Sequence, residues 1–297
     1  MSYDPTQLGG WIDDQQAVQR VLATKKNALF ADAAPHLSSY YQGEDVGLWR
    51  AAIKVTGKVL PADKQTIGDC VSHGHARGLD YLWCAKEAAG LMGGYKEGVT
   101  SAMSEFIYGA SRKYGGILGP SDGSVGAFAV ECLKAGGYVF RNGKAYDGQL
   151  AKQYGMKGPP SDLEAEAKKL GHFLDYAQIT NPTDAANALK AGCPITICSN
   201  QGFTMKRDAN GICRPQGSWG HCMVVIGCFM LNGKLYFVIL QSWGQNVPDG
   251  PVPCGDAPDN SFGCDDSTMA HILGQKDSYA LTGMKNFEPV PPVDFLM

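Results

Sequence analysis

Apolar positions recur at helical spacing through much of the first half of the chain. Residues 13–30, DDQQAVQRVLATKKNALF, carry acids first and lysines late, the order a helix dipole prefers, and predict a helix. From Cys70 the apolar positions Val71, Leu79, Leu82 and Ala89 approximate one helical stripe, which Gly93-Gly94 ends. SAMSEFIYGASRKY (101–114) and VGAFAVECLKAGG (125–137) predict two more helices, whereas 31–64 is mixed and ends in the extended GKVLPADK. The pattern changes after residue 160. SDLEAEAKKLG predicts a short helix with Ser161 as N-cap and Glu164 at the capping-box position. PTDAANALKAG predicts another, opened by Pro182 and closed by Gly192. CPITICSN, GHCMVVIGCFM and KLYFVILQSWG are then rich in branched and aromatic residues and separated by turn signals, so they predict strands. Asn232-Gly233 predicts a hairpin joining the last two.

This pattern divides the chain into four parts: an N-terminal extension packed on the core (1–60), a helical lobe (61–160), a β-rich lobe (161–287) and a proline-rich tail (288–297) expected to dock on a surface. The fold class it predicts is α+β. With 297 residues, 44% of them hydrophobic, the chain is long enough for one large domain or two lobes. A net charge of -3 gives no footprint for nucleic acid or an anionic membrane. There is no apolar run of about 18 residues to span a bilayer. The N-terminus MSYDPTQLGGWIDDQQ lacks the basic and apolar regions of a secretory signal, so a cytoplasmic location on synthesis is expected.

Ten cysteines without such a signal read as mostly reduced thiols. Spacings such as Cys193-x4-Cys198 and Cys222-x5-Cys228 match no zinc pattern, so neither a metal nor a cofactor is expected. Cys254 and Cys264 bracket a Gly/Asp/Pro-rich loop and would form a local disulfide if the protein reached an oxidising compartment.

Three positions stand out for chemistry. Cys70, in DKQTIGDCVSHG, lies where a loop gives way to a helix, and a helix N-terminus favours a thiolate. The bland alternative is a small buried hydrophobe. His221 opens an otherwise apolar strand, where a histidine can equally be structural. Gln241, in QSWG, ends the returning strand of the hairpin. Together they compose a nucleophile, a base and an orienting amide. An unbulged two-residue hairpin loop would put His221 and Gln241 on opposite faces; an odd loop or a bulge would put them on one face. His73 and His75 read as surface or interlobe residues, and Asp69 as the cap of the Cys70 helix.

In chain order, IGDCVSHG, WGHCMVVIG and QSWG resemble the motifs of the papain-like cysteine peptidases. LKAGCPITICSN, ahead of the histidine, and SEFIYGASRKYGG…GAFAVECLKAGGYV, after the cysteine, are similar to that family too, so that the resemblance runs from about residue 60 to 285. It implies a two-lobed fold, a helical lobe carrying Cys70 and an antiparallel β-barrel-like lobe carrying His221. It also implies a Cys70 thiolate attacking a peptide or amide carbonyl, with Gln241 orienting His221 and a glutamine donating to the oxyanion.

The family's glutamine stands six residues before the cysteine, where this chain has Lys64; Gln65 is one residue closer. The orienting asparagine is replaced by Gln241, one methylene longer, and Val71 replaces the usual aromatic residue. These departures keep open a second function, a structural or binding protein with impaired catalysis. Nothing in the first 60 residues resembles the family's inhibitory pro-segment. The expectation is a peptidase of intracellular or bacteriophage type, acting on a peptide or protein substrate, and one that could pack with other subunits in a virus particle.

Overall fold

The computed structural model describes residues 5–91, 101–170, 175–284 and 287–291. Its helices are α1 (Gln15–Ala23), α2 (Phe30–Ala33), α3 (Leu48–Thr56), α4 (Cys70–Ala88), α5 (Ser104–Tyr114), α6 (Gly126–Gly136), α7 (Gly148–Lys157), α8 (Ser161–Leu170), α9 (Pro182–Lys190) and α10 (Asp266–Leu273). The strands are β1 (Val46–Gly47), β2 (Asp175–Gln178), β3 (Ile195–Phe203), β4 (Pro215–Leu231), β5 (Lys234–Leu240), β6 (Ser261–Asp265) and β7 (Asp277–Thr282). The helices dominate the first half. The strands form one antiparallel sheet in the order β2-β7-β3-β4-β5-β6, with β1 added on β4.

Helix α4 joins the two halves. It packs on β3 and β4 and also on α3, α5 and α6, so it is buried continuously from Cys70 to Lys86 rather than along one stripe. Gly74 and Gly78 let it approach the sheet: a Cβ at Gly74 would lie 2.9 Å from the Cys222 sulfur, and one at Gly78 2.9 Å from Leu281. The charges this buries are paired. Arg77 bridges Asp63 at 2.8 Å and Asp80 at 3.2 Å, and the other Asp80 oxygen accepts the Ala102 N–H at 2.7 Å. The Gly93-Gly94 stop lies outside the described residues.

Several local expectations change. The helix expected over 13–30 stops at Ala23: Asp14 caps its start by accepting the Ala17 N–H, and Lys25 turns away to pair with Asp175 at 2.5 Å. The mixed stretch after residue 30 contains α3, whose buried face of Leu48, Trp49, Ala51 and Ala52 explains why it forms. Ser161 is the first residue of α8 rather than its cap, and Glu164 pairs with Lys113 at 2.7 Å instead of closing a capping box. Asn181 caps α9, Pro182 opens it, and Gly192 follows in a left-handed conformation, φ +85°. All ten cysteines are free thiols, nine of them buried and Cys254 exposed.

The hairpin decides where Gln241 sits. Its loop has two residues, Asn232 (φ 50°) and Gly233 (φ 75°), and Leu231 pairs with Lys234. A bulge between Val225 and Gly227 then shifts the register, so that Val224 pairs with Leu240. Continued by one residue, that register sets Gln241 opposite Met223, on the His221 side of the ribbon.

Candidate active site

Cys70 is the first residue of α4 and is fully buried. Its sulfur accepts the Cys222 N–H at 3.3 Å, so the thiol touches the backbone of the residue that follows His221. Burial pushes the Cys70 thiol well above its ordinary range, with the neighbouring Cys222 and Asp69 adding to this; the N–H groups of Cys222 and Gly10 oppose it. The preceding Asp69 does not cap the helix with its side chain. Its carboxylate accepts the Tyr146 hydroxyl at 2.9 Å and lies 3.5 Å from His73 Nε2.

His221 is also fully buried and stacks on Trp243, ring centroids 4.4 Å apart and planes 25° from parallel; Trp219 lies beyond, at 6.2 Å. Neither ring nitrogen has a hydrogen-bond partner among the described residues. Burial, helped by the charge on His73, lowers the imidazole to about 3. Burial thus disfavours charge on both groups, raising the thiol and lowering the imidazole.

His73 behaves in the opposite way. Burial works against its charge, but Asp69 and Asp63 raise it to about 9. It is buried, edge-on to Tyr146 at 4.7 Å, and not the surface residue the sequence allowed. His75 is buried as well, its Nδ1 2.7 Å from the Val71 carbonyl.

The remaining sequence candidates divide. Gln241 is buried, but its amide donates to the Val247 carbonyl and accepts the Trp243 N–H, so it braces the 241–247 loop and makes no hydrogen bond to His221. Lys64 forms a bridge with Trp243, and its stem lies against Gly244. Gln65 donates its N–H to the Ser242 carbonyl at 2.9 Å and accepts the Ser242 hydroxyl on its side chain. Its Nε2 donates to the Ile67 carbonyl at 3.0 Å and to the Leu8 carbonyl at 2.7 Å.

That last contact reveals what sequence reasoning missed: the N-terminal segment crosses the site. The Gly10 N–H donates to the Gly220 carbonyl at 3.0 Å, on the β side. On the helical side Ser124 donates to the Gly10 carbonyl at 2.8 Å and accepts the Ile12 N–H at 2.9 Å. The Trp11 indole N–H then reaches Asp277 at 2.8 Å. The sequence placed residues 1–60 only as an extension packed on the core; the contacts of residues 8–12 put part of that extension between Gly220 on one side and Ser124 on the other. The Gly-Gly-Trp signal was present, but a segment held by its backbone carries little side-chain pattern.

No family model matches the chain, and no curated protein sequence matches it. Solved structures do. Xylellain, a cysteine protease from Xylella fastidiosa, aligns with a TM-score of 0.61 at 14% identity, over 95% of this chain and 94% of that one. Procathepsin L 3 from Tenebrio molitor larval midgut gives 0.53 at 15% identity, over 90% and 78%. Procathepsin B S9 from Trypanosoma congolense gives 0.57 at 12% identity, over 94% and 87%. The chain thus has the papain-like cysteine protease fold, and at these identities the likeness is one of fold.

Proposed function

We propose that this protein is a cysteine peptidase or amidase with Cys70 as nucleophile and His221 as base, held closed by residues 8–11. The observation that carries the reading is the meeting of the Cys70 sulfur with the backbone that follows His221, at the N-terminus of a helix. Withdrawal of the N-terminal segment hydrates the site. The thiol proton then passes to His221, and the helix N-terminus favours the thiolate. Attack on a peptide or amide carbonyl forms an acyl-enzyme that water hydrolyses. The oxyanion faces the Cys70 N–H and the Gln65 amide, the group that already holds the Leu8 carbonyl. Lys64 adds positive charge at a greater remove.

The occupied Gln241 amide favours a second reading, a binding or structural protein of this fold with impaired catalysis, such as a virion component. An epoxide active-site probe separates the two. The enzyme reading expects covalent label on the Cys70 peptide by mass spectrometry, lost in His221→Ala. The structural reading expects no label at Cys70 once the segment has been displaced.

A further inference from the structure

The segment Leu8–Trp11, which leaves a short 3-10 turn at Leu8, also measures the cleft. A Cβ at Gly10 would lie 2.1 Å from the Gly68 carbonyl oxygen and 2.4 Å from its carbon, and one at Gly9 2.6 Å from the Gly220 oxygen. These obstacles are backbone atoms, which cannot swing aside as the end of a long side chain does. Neither glycine has a positive φ, so it is space rather than conformation that requires them. The walls are equally tight. A Cβ on Gly68 would meet Asp122 and the Gly9 carbonyl at 2.9 Å, and one on Gly220 the Trp11 carbonyl at 3.0 Å. On either side the passage widens to hold a half-buried Leu8 and a buried Trp11 anchored on Asp277.

We infer that the Cys70 cleft selects peptides carrying two successive glycines between larger apolar residues, and that Leu8–Trp11 is a built-in ligand of this kind. The inference rests on the reading of Cys70 as the reactive centre and adds the substrate class.

The test uses the full-length chain. Gly10→Ala should expel the segment and raise the rate of Cys70 alkylation by iodoacetamide about tenfold or more, since labelling follows the open population. Acetyl-Leu-Gly-Gly-Trp-amide should slow that labelling, and acetyl-Leu-Ala-Ala-Trp-amide should not. Trp11→Phe, which removes the hydrogen bond to Asp277 and part of the buried ring but keeps the backbone unobstructed, provides a milder release. The same competition on the slow labelling of the wild type keeps the test in force if either variant misfolds. Equal protection by both peptides, or by neither, overturns the inference. Protection needs no turnover, since Leu8–Trp11 itself occupies the cleft uncut; the peptidase reading stands or falls by the epoxide label at Cys70, and the selectivity by the difference in protection.

Discussion

His221 and Trp243 stack with their ring centroids 4.4 Å apart, and this contact, rather than an amide hydrogen bond, holds the imidazole in place. Trp243 is buried. Its replacement by alanine removes the stack and leaves a cavity, with an expected loss of about 3–5 kcal/mol in urea unfolding. Trp243→Phe keeps a ring over His221 and should lose about half as much.

Gln241→Asn tests the amide. Shortening the side chain pulls it from the Val247 carbonyl and the Trp243 N–H, leaving buried polar groups unpaired. The expected destabilisation is about 1–3 kcal/mol, read from the urea midpoint, with no gain in Cys70 labelling. Faster labelling without lost stability would restore Gln241 as an orienter.

The two buried histidines set the pH dependence of stability in opposite directions. His73 is raised to about 9, so its contribution is full below about pH 6.5 and is lost as pH climbs through 9. That amounts to a few kcal/mol at most, on the order of 3. His221 is lowered to about 3, so its contribution is full above about pH 6.5 and is lost as pH falls toward 3. Thermal unfolding across pH 4–10 should therefore peak near the ordinary histidine pKa as far as these groups decide it. His73→Gln should flatten the alkaline limb and, by removing a charge that helps lower His221, reduce the acid limb without abolishing it, since burial is the larger cause.

Cys70 in the full-length wild type should resist iodoacetamide at about pH 5.5, where a histidine-paired cysteine would react, because burial keeps its proton on. Cys254, the exposed thiol among the ten, should label first at about pH 8. Rapid, selective labelling of Cys70 at the lower pH would mean that the N-terminal segment does not cover it in solution.

Asp277 ties the N-terminal segment to the fold. It accepts the Trp11 indole N–H and the Gly126 and Ala127 N–H groups, each at 2.8 Å, and so also caps α6. Asp277→Ala should unfold at lower urea by about 2–3 kcal/mol and label faster at Cys70. If the stability falls and the labelling does not change, the segment is held by its backbone contacts alone.

What the sequence determined by itself was the local and ordered part of this protein. Helical spacing, branched strand segments and the Asn232-Gly233 turn act over a few residues and are visible without a fold. Cys70 at a helix start, His221 on a strand and Q-S-W-G on the next followed in an order that pointed to the papain-like architecture. The full burial of α4 was not legible, because Arg77, Asp80 and His73 look like a solvated face until Asp63 pairs with the two cations and the Ala102 N–H with Asp80. The bulge between Val225 and Gly227 was a matter of parity that no pattern specified. Only tertiary structure decided that the Gln65 amide reaches the Leu8 carbonyl while Gln241 braces a loop, since the Leu8 partner comes from 57 positions away. It also decided that Leu8–Trp11 lies over Cys70. That contact is made by backbone hydrogen bonds and by the absence of a Cβ at Gly9 and Gly10, and the space that demands those glycines comes from residues more than fifty positions away.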